Sequence, residues 1–108
     1  MKIRAIALLS AAAALMSMQA PAFADAALAQ AKNCMACHAV DKKMVGPSYK
    51  AVSEKYASDT GAVKMLAEKI QKGSTPGKGN WGPVPMPANP QVSEAEATKL
   101  AAWVMTVK

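Results

Sequence analysis

The five residues Cys34-Met35-Ala36-Cys37-His38 constrain this chain more than any other stretch. Two thiols three positions apart, with an imidazole directly after the second, form the pattern for covalent attachment of a c-type haem. Each sulfur can add across one vinyl group of the macrocycle. His38 then lies under the iron and can donate a ring nitrogen as proximal ligand. These are the only two cysteines and the only histidine in 108 residues. A small chain that carries such a group has a large apolar surface to fold against.

Other uses of the Cys-x-x-Cys spacing fit less well. A thioredoxin-like redox pair needs a mixed sheet around it, and no strand pattern is readable here. A structural zinc site needs four ligands, and Cys34, Cys37 and His38 supply three. A simple disulfide in an exported protein stays open.

The amino-terminal segment bears on the compartment. Lys2 and Arg4 form a charged start, Ala5 to Met18 is apolar apart from Ser10 and Ser17, and Pro21 precedes Ala22-Phe23-Ala24. This reads as a secretory signal peptide over residues 1–24 with an A-x-A cleavage site. The rival reading is an uncleaved membrane anchor, but the apolar run falls short of the ~20 residues of a spanning helix and the small-residue ending suits a peptidase better; stable membrane insertion after cleavage is not expected. Export places the domain, residues 25–108, in the periplasm, where c-type haem is attached. At 84 residues it is small for a self-sufficient core and needs a staple such as a large cofactor.

That domain holds eleven lysines and no arginine against seven acids, a net charge of about +4. A dispersed lysine surface steers a protein towards acidic partners. Nucleic acid is not an expected partner, because arginine and a basic-aromatic groove pattern are both lacking.

Four helical patterns are legible. The first, roughly Asp25 to Asn33, is alanine-rich and leads into the haem motif, with Asp25 as a cap or first-turn acid. Gly46-Pro47 marks a turn, and the second helix runs from about Ser48 to Ala57 with Tyr49, Val52 and Tyr56 on one face. The third spans Ala62 to Lys72, with Val63, Leu66, Ala67 and Ile70 as its stripe and Gly73 as its stop. The fourth opens on the capping box Ser93-Glu94-Ala95-Glu96 and buries Leu100, Trp103, Val104 and Val107. Between the last two, Ser74 to Pro90 carries five prolines and three glycines and is expected to be an ordered or semi-rigid loop.

The sixth position of the iron decides between classes of function. With no second histidine, a methionine thioether is the natural ligand, and it raises the reduction potential. Five methionines follow residue 24. Met35 lies inside the attachment motif, Met44 is only six residues past His38, and Met65 and Met105 lie in helices, where packing is the commoner role. Met86, in Val84-Pro85-Met86-Pro87, is far from His38 in sequence and flanked by prolines that restrict its backbone. Met86 is therefore expected as the distal ligand, and His38 with Met86 as the metal ligands.

The chain closely resembles the small bacterial class I cytochromes c, specifically the cytochrome c-551 type, across nearly all of residues 25–108. The likeness is carried by the haem motif, by Lys43-Met44-Val45-Gly46-Pro47, by Trp81-Gly82-Pro83-Val84-Pro85-Met86-Pro87, and by Ala101-Ala102-Trp103-Val104. It implies an all-α fold of about four helices wrapped around one covalently bound haem. It implies that Pro47 offers its carbonyl to the His38 ring N–H, that Asn89 hydrogen-bonds near the Met86 sulfur, and that Trp81 donates its indole N–H to a haem propionate. Lys69 matches a position where arginine often meets a propionate; lysine supplies a point charge in place of a planar fork. Trp103 is read as core packing.

Two departures stand out. Thr75 to Asn80 is longer than the usual link before the tryptophan. Ala29 stands where an aromatic is common, while Met35 is bulkier than the usual motif residue, a pair expected to compensate in core volume.

The resulting expectation is a periplasmic, monomeric, one-electron carrier and not an enzyme. Its implied partners are a quinol-oxidising complex upstream and a nitrite reductase or terminal oxidase downstream, met through acidic docking surfaces. The rival classes are a haem sensor or peroxidase with an exchangeable sixth ligand, and a small exported disulfide protein without haem.

Overall fold

Residues 21–75 and 81–108 are described by the computed structural model. They form four α-helices: α1 (Pro21–Ala31), α2 (Tyr49–Lys55), α3 (Ala62–Lys72) and α4 (Glu94–Val104). A single 3-10 turn, Cys34–Ala36, follows α1. Among the described residues there is no extended strand, and the only bridge-type pairing is at Gly82. The architecture is the expected all-α one.

Helix α4 organises the rest. It contacts α1, α2 and α3, whereas α2 and α3 do not touch each other. Its sequence explains this: Ala97, Leu100, Ala101, Trp103 and Val104 are all buried, so the apolar stripe is wide enough to serve several neighbours. Two fully buried alanines, Ala97 and Ala101, and Ala29 of α1 let backbones approach closely. Full burial of Leu100 contributes about 1.5–3 kcal/mol.

The start of α4 is held as the capping box requires. The Ser93 hydroxyl accepts from the Glu96 backbone N–H at 3.1 Å, and the Glu96 carboxylate accepts from the Ser93 N–H at 3.0 Å. Lys32, just past α1, pairs with Glu96 at 3.3 Å and donates to the Gln91 carbonyl at 3.2 Å. At the other end, the buried Ser53 of α2 donates to the Met105 carbonyl at 3.1 Å.

Helix α3 has the expected limits, Ala62 to Lys72, and ends on Gly73 with φ +74°. Only glycine adopts that conformation freely. Lys69 and Lys72 lie in its last turn, where cations complement the helix dipole. Helix α2 is about three residues shorter than expected; Ser48 is its N-cap, accepting from the Ala51 N–H at 3.0 Å.

Helix α1 differs more. Its described part already includes Pro21. Asp25 is consequently inside the helix and does not cap it. The helix ends at Ala31, and Asn33 turns the chain with a left-handed backbone, φ 64°. Asparagine tolerates that region better than other side-chain-bearing residues. The departures noted in the sequence fall as follows: Ala29 is fully buried, Met35 packs half-buried against the same cluster, and residues 76–80 of the long link lie outside the described residues.

Candidate functional site

A cleft of about 1190 Å³, counting the part open to solvent, occupies the space that α2 and α3 leave between them. Helix α2 lines it with Tyr49, Val52 and Tyr56, α3 with Met65, Leu66, Lys69 and Ile70, and α4 with Leu100, Ala101, Trp103 and Val104. Its lining is overwhelmingly apolar, as expected of a site for a small molecule or cofactor. The stripe Val63, Leu66 and Ile70 of α3 is only partly buried. Leu66 and Ile70 turn towards the cleft and so wait for an occupant.

The attachment motif enters this cleft by local geometry. After the left-handed Asn33, the 3-10 turn brings the Cys37 N–H to the Cys34 carbonyl at 3.2 Å, and the His38 N–H to the same oxygen at 3.0 Å. Cys34, Cys37 and His38 therefore point from one tight turn into one space, and all three line the cleft. The Gly46 N–H donates to the Cys37 carbonyl at 2.7 Å, tying the following loop back to the motif. Both cysteines are half-buried and not joined in a disulfide. Burial pushes the Cys34 thiol above its ordinary pKa of 9.0, partly offset by hydrogen bonds from its own backbone and from Tyr49. Burial likewise holds the Tyr49 phenol above its usual range.

His38 has one defined orientation. Its Nδ1 lies 2.8 Å from the Pro47 carbonyl oxygen. A carbonyl can only accept, so Nδ1 carries a proton, which in the neutral ring leaves the Nε2 lone pair for a metal. The ring stacks on Tyr49 at 5.1 Å between centroids, with 22° between planes, and Tyr49 meets Trp103 edge-on at 5.2 Å. Gly46 leaves room for the ring: a Cβ there would sit 2.6 Å from His38 Cε1. The fixed tautomer is what a metal-ligating imidazole requires.

Met86 reaches the same cleft from the 81–87 loop. Pro83, Pro85 and Pro87 lack N–H groups, so from 83 to 87 the backbone donors are those of Val84 and Met86. The Met86 N–H donates to Ser74 Oγ at 2.8 Å, and the Ser74 N–H donates to the Met86 carbonyl at 2.9 Å. Gly73 packs beneath: a Cβ there would lie 2.5 Å from the Met86 carbonyl oxygen. The Asn89 N–H donates to the Gln71 carbonyl at 3.1 Å, and Gln71 Nε2 donates to the Val92 carbonyl at 3.2 Å. The loop is stitched along its length to the end of α3.

The donor set and the shape fit a covalently held haem. Two thiols, an imidazole with a free Nε2 and a thioether line one apolar cleft. Residues 24–108 match the protein-family model for cytochrome c.

The chain belongs to the cytochrome c family.

It is 56% identical to the cytochrome c-551 of Azotobacter vinelandii over 81 residues, which cover 75% of this chain and 94% of that one. It is 53% identical over 77 residues to the cytochrome c-551 of Pseudomonas aeruginosa, covering 71% and 70%. Among solved structures, the crystal structure of Nitrosomonas europaea cytochrome c552 superimposes with a TM-score of 0.72 at 48% identity, covering 77% of this chain and 99% of that one. This cytochrome carries haem c on Cys34 and Cys37 and works as an electron carrier, not as an enzyme. Haem supplies an iron that changes oxidation state by one electron; the chain supplies its ligands, its apolar wall and its exposed edge.

The other expected residues fall at or near the cleft. Pro47 holds the imidazole as described. Lys69 of α3 lines the cleft. Trp81 lines it too and is exposed at the rim, with the Lys55 ammonium 5.2 Å from its ring centroid. Asn89 is placed differently from the expectation. Its side-chain amide donates to the Ile70 carbonyl at 2.8 Å and the Pro87 carbonyl at 3.3 Å, so it bonds to backbone next to Met86. Trp103 packs in the core, as read, and also forms part of the cleft wall. Ser74 was not singled out by the sequence, Gly73 was read only as the stop of α3, and the stacking of Tyr49 on His38 was not foreseen. A Gly-Ser pair ending a helix was the only visible trace of the first two.

Proposed function

We propose that this cytochrome is a periplasmic one-electron shuttle whose haem iron is held between His38 and Met86. The observation that carries the reading is that one cleft receives both side chains, each from backbone fixed by hydrogen bonds. A ligand pair that scarcely moves between the two iron oxidation states keeps the reorganisation of electron transfer small. The same rigidity argues against the sensor or peroxidase alternative, which needs a sixth position that opens readily.

Residues 1–24 act as a signal peptide that is removed on export. Cleavage after Ala24 would leave α1 running from Asp25, so that Asp25 becomes its first residue and meets the positive end of the helix dipole. Among the described residues no helix is long and apolar enough to cross a membrane.

Electrons enter and leave at the rim of the cleft by outer-sphere transfer. Val45 and Val84 are 60% and 61% exposed there, and Trp81 stands beside them. Lys43 shares a shallow depression with Trp81 and Pro47. An apolar centre edged by ammonium groups suits brief docking on acidic surfaces. The partners that fit are a quinol-oxidising complex as donor and a nitrite reductase or terminal oxidase as acceptor, each met by a monomer.

The test is stopped-flow electron exchange with such partners, together with carbon monoxide addition to the reduced protein. The expected result is an encounter rate that falls steeply with salt and no ready carbon monoxide binding. A salt-independent rate overturns the lysine docking, and rapid carbon monoxide binding overturns the carrier with a closed sixth position.

A further inference from the structure

The Met86 backbone N–H and C=O are both bonded to one residue, Ser74. We propose that Ser74 is the positioning residue for the distal ligand, holding the Met86 sulfur on the iron through a two-point clamp on the Met86 peptide. The proposal rests on the His38/Met86 ligation set out above.

The geometry is specific. Ser74 Oγ accepts the Met86 N–H at 2.8 Å and the Ser74 N–H reaches the Met86 carbonyl at 2.9 Å. One bond alone would leave the peptide free to pivot; two bonds on opposite sides of the same residue fix its rotation as well as its position. The clamp is anchored on a rigid base. Gly73 caps α3 through its N–H to the Lys69 carbonyl at 2.8 Å, and its positive φ directs Ser74 towards the loop. The contact of Gly73 with the Met86 carbonyl leaves no space for slippage.

The flanking prolines do a different task. Pro85 and Pro87 restrict the loop's internal torsions, but they cannot fix where the loop sits relative to the cleft. Locking a side chain on a metal needs both. Loss of the Ser74 hydroxyl would keep the backbone N–H bond to the Met86 carbonyl and leave the partly buried Met86 N–H without an acceptor. The prolines would still hold the loop's shape, while its Met86 peptide could rotate and let the sulfur leave.

The test uses the ferric holoprotein and imidazole as a competing ligand for the sixth position. Apparent imidazole affinity reports how often the Met86 sulfur is displaced. Ser74→Ala is expected to raise that affinity about tenfold, equal to about 1.4 kcal/mol, and to weaken the near-infrared sulfur–iron band. Ser74→Thr, which keeps an acceptor oxygen, restores both. Ser53→Ala is the control: it removes a buried hydroxyl that bonds the Met105 carbonyl, away from the Met86 loop. It should lower global stability without changing imidazole affinity.

Equal imidazole affinity in Ser74→Ala and Ser53→Ala overturns the clamp. Should Ser74→Ala fail to fold, hydrogen exchange on the wild-type protein decides: a protected Met86 amide supports the clamp and an amide exchanging at the free rate overturns it. A wild-type protein with no sulfur–iron band would refute the ligation itself, a result distinct from either outcome for Ser74.

Discussion

The His38 imidazole fits against Gly46 so closely that a Cβ at that position would stand 2.6 Å from Cε1 and 2.9 Å from Nδ1. The same ring is hydrogen-bonded to Pro47, the next residue, at 2.8 Å. The Gly46-Pro47 pair thus performs two tasks on one side chain: absence of a side chain makes room, and a carbonyl sets the proton.

Gly46→Ala is expected to displace the ring or the 45–47 loop. Overpacking of this kind costs about 1–3 kcal/mol. Chemical denaturation of the holoprotein should show that loss, and the reduction potential should shift with it because the imidazole can no longer keep its bond to Pro47. An unchanged potential would mean that the ring has a second acceptable position.

Gly73→Ala meets two obstacles at once, a positive φ and a backbone contact with Met86. The expected loss exceeds about 1 kcal/mol, measured by denaturant titration. Gly61→Ala provides the comparison, since its nearest neighbour, an Asp59 side-chain oxygen, would be 3.4 Å from the new Cβ. Equal losses at the two sites would remove the special role assigned to Gly73.

Trp103 is 9% exposed and meets Tyr49 edge-on, with Tyr49 in turn stacked on His38. Trp103→Ala should cost about 3–5 kcal/mol and loosen the imidazole, whereas Trp103→Phe should retain most of the stability. Thermal melts of the two variants check the size; proton NMR of the His38 ring checks the coupling.

Glu96 carries a pH dependence of defined sign. Its hydrogen bond from the Ser93 backbone holds its pKa below the ordinary value of 4.5, with Lys32 acting in the same direction. A carboxylate whose folded pKa is lowered contributes stability that is complete above its unfolded pKa and is lost as pH falls through the folded one. Melting temperature should therefore decline below about pH 4.5 by more in the wild type than in Glu96→Gln. Parallel curves for the two proteins would place the acid sensitivity elsewhere.

Ala29 and Met35 are expected to share one core volume. Ala29 is fully buried, and Met35 packs against the same cluster. Ala29→Phe should overpack the wild-type core and cost less when combined with Met35→Val. A double-mutant cycle measures the interaction; strictly additive losses would separate the two positions.

The sequence was most informative where a local pattern is its own cause. The limits of α3 follow from an apolar stripe and a glycine stop, and the capping box of α4 is present with both of its hydrogen bonds. The bond from His38 to Pro47 was implied by family likeness and is found. What stayed illegible depends on partners distant along the chain. Ser74 and Met86 are twelve positions apart, and a serine after a glycine carries no mark of its target. Asn89 shows the converse: the residue was noticed, but its amide is taken by the Ile70 and Pro87 carbonyls. Helix α1 already includes Pro21, four positions before the expected start at Asp25.

Ligation of the iron by His38 and Met86 is the claim on which the function rests, and the near-infrared absorption of the oxidised holoprotein tests it most directly. The account predicts a low-spin spectrum with a weak sulfur–iron band in the wild type, and in Met86→Ala loss of that band with a fall in reduction potential. A high-spin wild-type spectrum without the band, or a band that persists in Met86→Ala, would contradict it.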